Sequence, residues 1–237
     1  MEMRMFGRTG MRLSVLGFGC GAVGGLMVRG DPLDQERTVA RAIDAGVNYF
    51  DTAVQYGSGE SEKNLGRVLQ RLKPANVTVG TKVRLPSGDF RRIADAVAKS
   101  LEGSLARLRL DRVDIFHLHN AITETGGGEA LSVRQVLGDV LPAFERLRQQ
   151  GKTRFLGLTA IGDTAALHRW STTCSIRPRL PGCRRIIQHR ITDGCLIIPG
   201  RPVSALSASA CSRAARCPAR PSVIRLRVRR PSRSARL

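Results

Sequence analysis

The sequence predicts an α/β protein built on parallel strands, on two observations. Between residues 1 and 170, runs rich in Val, Ile, Phe and Thr alternate five times with stretches of helical periodicity. Repeated β-α-β order requires parallel strands joined by right-handed crossovers, which leaves an open doubly wound sheet or a (β/α)8 barrel. A third observation limits where that pattern holds. Of 39 basic and 19 acidic residues, 15 arginines and the single acid Asp193 lie beyond residue 170, leaving 24 and 18 before it; the net charge of +20 divides into +6 and +14. Two parts are therefore expected: 1–170 as the α/β part, and 171–237 as a basic tail with almost no acid.

The elements follow in order. A hairpin turn at Arg8, Thr9 and Gly10 leads into a strand over 11–19. A helix over 31–46 has Asp31 as N-cap, Pro32 at its first position and Gly46 just past its end, with Val39, Ala42 and Ile43 as its buried stripe. Strands over 47–53, 76–83, 112–120 and 153–160 then alternate with helices over 60–72, 90–108 and 132–150. The last of these helices stops at Gly151, and another starts at 162–168.

A chain of 237 residues has enough length to bury a core. The N-terminus carries no apolar leader, and no stretch approaches the roughly 18 apolar residues that span a bilayer, so a cytoplasmic protein with no membrane contact is expected. Residues 1–170 contain only Cys20. The tail holds Cys174, Cys183, Cys195, Cys211 and Cys217 without a CxxC pair, so no metal site is expected.

Gly19, Gly21 and Gly24 match G-x-G-x-x-G after a predicted strand, as in a dinucleotide-binding turn. That turn opens directly into its helix, whereas here a loop through 26–30 precedes the helix at Pro32. The glycines are instead expected to let the loop pass close to a ligand or a neighbouring strand.

Asp51 and Tyr56 end the second strand and its loop, in NYFDTAVQYGSGESEKNLG. Lys82 ends the third strand in VGTK, and His119 ends the fourth in DIFHLHN. Adjacent parallel strand ends lie about 5 Å apart, so these side chains can converge at the edge where such folds place their chemistry. Singly, each has an ordinary explanation: a turn cap, a solvated strand end, a polar group at a sheet edge. Jointly, four such residues on three consecutive strand ends favour an acid–base site. His117 and His119 share a strand face, and His119 lies nearer the C-terminal end.

The order D-T-A-x-x-Y-G, a helix with E-x-x-L-G, a strand-end Lys and D-I-x-x-x-H resembles the aldo-keto reductase family. The opening R-x-F-G-R-T-G-x-x-L-S-x-L-G-F-G resembles its N-terminal hairpin and first strand, and the resemblance runs over about residues 4–162. It implies a (β/α)8 TIM barrel, truncated here after about five β/α units, with an irregular Arg-rich tail.

It also implies reduction of an aldehyde or ketone, or oxidation of an alcohol or sugar, with NADP as cofactor. Tyr56 would donate the proton; a free tyrosine, with a pKa near 10, donates poorly unless its phenolate is stabilised. Lys82 would supply that stabilisation, Asp51 would hold the ammonium, and His119 would orient the substrate oxygen. The resemblance further places Gly19 and Thr159 at the cofactor and Asn120 at the substrate. DIFHLHN leans toward sugars or other small aldehydes.

The family pattern stops in the fifth unit. The later strands, which in the family hold much of the cofactor, are not legible, and Ala160 stands where the family commonly has Asn. From residue 171 the composition is that of GC-rich coding sequence translated in the wrong frame, so impaired activity is expected. Fifteen arginines would also bind nucleic acid non-specifically, but the tail has no aromatic residue to stack on bases.

Overall fold

The computed structural model describes residues 1–7, 9–167 and 187–189, the last three as backbone alone. The expected tail, 171–237, lies outside the described residues except for that short strand.

The chain begins with an antiparallel hairpin of β1 (Met3–Met5) and β2 (Arg12–Ser14). The strand expected over 11–19 is thus two strands, because β3 (Phe18–Gly19) belongs to a different sheet. Ser14 makes the break. Its hydroxyl donates to the Leu16 carbonyl at 2.6 Å, and its N–H is held by Asn48 Oδ1 at 2.8 Å, bending the backbone out of one sheet before it enters the next.

The large sheet continues with β4 (Tyr49–Asp51), β5 (Thr78–Val83) and β6 (Val113–Leu118). Two short strands, β7 (Ile122–Thr123) and β8 (Leu131–Ser132), pair in parallel in a sheet of their own. The large sheet then takes up β9 (Thr153–Thr159) and β10 (Ile187–His189). Its order is β10-β9-β6-β5-β4-β3, every pair parallel.

This order decides between the two folds the sequence left open. A doubly wound sheet reverses its strand order at a switch point. Here each strand lies beside its predecessor throughout, as in the wall of a barrel. β10 was not foreseen: it falls within the expected tail and covers the edge of β9.

The helices explain themselves from local sequence. α1 (Leu26–Arg29) is a single turn in the segment expected to be loop. In α2 (Pro32–Asp44) the Asp31 side chain accepts from the Leu33 and Asp34 N–H groups, and Gly46 takes φ +87° beyond the helix end. α3 (Glu60–Leu72) has the expected bounds. α4 (Ile93–Leu108) starts later than expected, after a 3-10 turn over Ser87–Arg91. The helix expected over 132–150 is α5 (Val133–Gln135), a π turn (Val136–Val140) and α6 (Leu141–Gln149). Pro142 has no N–H to give to the preceding turn and Gly138 lies within the π segment, so the regular ladder is lost there.

Hydrophobic burial has two parts. Phe50, Val79, Phe116 and Leu156 form one core with the helix residues Val39, Leu65, Val97, Leu101 and Phe144, and the Phe116 and Phe144 rings lie 4.8 Å apart. On the other side, the hairpin residues Phe6, Met11 and Leu13 cluster with Tyr49 and Ile115. Among the described residues, no helix is long and apolar enough to cross a membrane.

Candidate active site

The period of two along a strand sends alternate side chains to one face. Register then aligns those faces: Asp51 lies across from Gly19 and Gly80, and Lys82 from His117, which lies across from Gly157. The Lys82 side chain is fully buried, and three groups surround its ammonium. Asp51 Oδ2 accepts at 2.6 Å, the Thr52 carbonyl at 2.9 Å and the Tyr56 hydroxyl oxygen at 3.2 Å. The ammonium also stands 4.8 Å from the Tyr56 ring centroid.

Tyr56 is half-buried, on the loop between β4 and α3. His119, one residue past β6, packs edge-on against it with centroids 6.3 Å apart and lies 3.4 Å from Gln55 Oε1. The four residues expected at the site are therefore together. The hydroxyl and imidazole line one half-buried surface, while the ammonium and the carboxylate lie behind it.

The two histidines separate clearly. His117 is fully enclosed within β6, and its ring occupies the space a side chain at Gly157 would need. His119 alone of the two is partly exposed.

Other expected residues hold different positions. Asn120 is buried, and both hydrogens of its amide are committed, to the Leu85 carbonyl at 2.7 Å and the Glu129 carbonyl at 2.9 Å, while its Oδ1 accepts from the Leu85 N–H. It ties together the loops after β5 and β6. Thr159 is buried at the end of β9, its hydroxyl donating to the Leu118 carbonyl at 3.2 Å. Gly19 lies beside Asp51 with open space where a side chain would project.

Two contributors were not found from sequence. The Tyr49 hydroxyl donates to Asp51 Oδ1 at 3.2 Å, and Gln55 lies against His119. The signal for Tyr49 was present, since it stands two residues before Asp51 on the same strand. Gln55 gave none.

The electrostatics follow from burial. For Lys82, desolvation opposes the charge, but the Asp51 carboxylate and the Tyr56 oxygen outweigh it and hold the lysine above its ordinary pKa. Burial first, and then Asp51, push the Tyr49 phenol well above its usual value. The same two causes raise the Cys20 thiol, so it stays protonated and inert. Among the described residues, no three His, Cys, Asp or Glu side chains gather as metal ligands.

Comparison with known proteins assigns the family: the model described as "Aldo/keto reductase family" matches residues 15–193. The chain belongs to the aldo/keto reductase family. The match extends past the composition break at residue 170 and takes in β10, so the family pattern continues further than the motifs alone reveal.

This aldo/keto reductase chain is 37% identical over 163 residues to L-galactose dehydrogenase of Arabidopsis thaliana, covering 68% of this chain and 49% of that relative. It is 31% identical over 181 residues to D-threo-aldose 1-dehydrogenase of a Pseudomonas species, covering 66% and 53%. A crystal structure of an aldo-keto reductase from Klebsiella pneumoniae in complex with NADPH superposes with a TM-score of 0.51 at 25% identity, covering 71% of this chain and 53% of that one. The chain thus spans about half the length of the relatives it matches.

The described residues fit the family's dinucleotide on one side only. Open space at Gly19 leaves room at the strand ends beside Asp51. On the β9 side, the Thr159 hydroxyl already donates to a backbone carbonyl, and Ala160 has no polar group to hold a nicotinamide amide.

Proposed function

We propose that this site is the proton-transfer half of an NAD(P)H-dependent carbonyl reductase, working also in reverse on an alcohol or sugar. The observation that carries the reading is the Lys82 ammonium held between the Asp51 carboxylate and the Tyr56 oxygen. The cofactor, NADPH in the Klebsiella relative, supplies hydride to the carbonyl carbon when bound.

Everything else is done by side chains. As negative charge grows on the carbonyl oxygen, the Tyr56 O–H bond breaks and its proton passes to that oxygen, leaving tyrosinate. Lys82, kept cationic by Asp51, neutralises the tyrosinate at 3.2 Å without itself losing a proton. His119, edge-on to Tyr56, donates to the same carbonyl oxygen and fixes its orientation. In the oxidative direction the tyrosinate takes the alcohol proton back. Asn120 contributes by holding the loop behind His119.

Small sugars and aldehydes are the proposed substrates, because two relatives are named as sugar dehydrogenases. The chain is further proposed to hold its cofactor weakly. Ala160 offers nothing to the nicotinamide amide, and the family match ends at residue 193, while the chain spans about half the length of its relatives. The expected result is slow, Tyr56-dependent oxidation of NADPH by the purified chain with small aldehydes, lowered about 10²- to 10⁴-fold further by Tyr56→Phe. Turnover unaffected by Tyr56→Phe would reject the site. Cofactor affinity in the ordinary range, measured by quenching of NADPH fluorescence, would reject the impairment.

A second reading concerns the tail alone. Its +14 charge favours non-specific contact with nucleic-acid phosphates, with affinity that falls steeply as salt rises.

A further inference from the structure

Tyr49 has no part in the proton transfer just described, yet it touches the group on which that transfer depends. It is one of only two tyrosines in the chain and is buried at 1% exposure. On β4 it points to the same face as Asp51, and its hydroxyl reaches along the strand to Asp51 Oδ1 at 3.2 Å. The other carboxylate oxygen, Oδ2, receives Lys82 at 2.6 Å. The two oxygens of Asp51 therefore serve two different donors, one neutral and one charged.

The neighbouring strand is shaped for this contact. Gly80 on β5 lies directly across from Asp51, and a Cβ there would stand 2.6 Å from the Tyr49 oxygen. Any larger residue would push the hydroxyl away from the carboxylate. The charged and titratable groups acting on Tyr49 are Asp51 on its own strand, Tyr56 on the following loop and Asp114 on β6, with Lys82 of β5 on the far oxygen of Asp51.

We propose that Tyr49 is a positioning residue of the acid–base site: its hydrogen bond to Oδ1 disperses the charge of Asp51, so that the Lys82 ammonium remains available to the Tyr56 oxygen. This rests on the reading of Tyr56 as the proton donor. Without the Tyr49 donor, Oδ1 carries its charge undispersed, Asp51 draws Lys82 more strongly, and tyrosinate at position 56 is less stabilised. The Tyr56 pKa must then rise. Burial and Asp51 keep Tyr49 itself protonated, so it continues to donate while Tyr56 ionises.

The test uses the full 237-residue chain labelled with ¹³Cζ-tyrosine. Two resonances are expected, each assigned by the matching Tyr→Phe variant, and circular dichroism confirms that each variant is folded over the titration. In Tyr49→Phe, which preserves the ring, the Tyr56 midpoint should rise by about half a pH unit or more, roughly three-fold in proton affinity. Gly80→Ala should move it in the same direction with both tyrosines present. Lys82→Met, which removes the partner Tyr56 needs under the proposed function, should raise it further.

A Tyr56 midpoint unmoved by Tyr49→Phe but raised by Lys82→Met overturns the role of Tyr49 and leaves the function standing. A midpoint indifferent to Lys82→Met overturns the function itself, and the role of Tyr49 with it.

Discussion

With no exposed surface, the Lys82 ammonium depends wholly on the partners the fold supplies, and its removal or theirs should be felt as stability. Breaking a buried ion pair by deleting one member costs about 3–5 kcal/mol, because the other charge is left uncompensated, whereas removing both is far cheaper. Asp51→Asn and Lys82→Met should each lower the unfolding free energy, measured by urea denaturation, by that order, and the double variant should recover much of the loss. The pH dependence has a definite sign. The folded pKa of Lys82 is raised, so its contribution to stability is complete below the unfolded lysine value of about 10.4 and is lost as pH rises through the folded value. The ion pair should therefore hold across neutral pH and weaken only in strong alkali, as unfolding midpoints measured from pH 7 upward would reveal. At this scale the sequence was informative about Asp51, Tyr56, Lys82 and His119, because strand ends are readable from pattern. It was silent about Gln55, whose place beside His119 depends on the course of a loop, and it gave no sign that the Asn120 amide would be taken up by Leu85 and Glu129.

The elements most easily read were those with strong local signals. α2 begins at a capped Asp31-Pro32 and α3 keeps its expected bounds, since both carry amphipathic periodicity over 13 residues. The failures share a cause: a tertiary partner overrode a local pattern. Asn48 and Ser14 divided the first predicted strand, and α1 formed where Gly25 could take the left-handed conformation ahead of Leu26. Where elements meet, small residues set the distance. Gly66 of α3 lies against the end of α4 so closely that a Cβ would meet the Leu108 carbonyl oxygen at 2.5 Å and the Arg107 carbonyl oxygen at 2.6 Å. Gly66→Ala gains helix propensity but must separate two backbones. The net effect should be destabilising by about 1–3 kcal/mol, as read from thermal unfolding.

At the scale of the molecule, the large sheet runs, among the described residues, from β3 to β10. Deleting residues 171–237 would strip β10 from β9 and expose a row of unpaired backbone groups, which invite pairing with another chain. The shortened protein should self-associate more strongly in light scattering. It should also lose any salt-sensitive affinity for nucleic acid, since 15 of its arginines are gone. What the sequence by itself determined was the alternation of strands and helices and the residues at the strand ends, because both are written in local periodicity and in residue type. Only the tertiary structure decided that the strands follow one another in unbroken order, that the Asn120 amide is taken up by Leu85 and Glu129, and that Tyr49 bonds the carboxylate. Each of these depends on which residues face one another across neighbouring strands, and that register is fixed by packing between segments far apart in the chain.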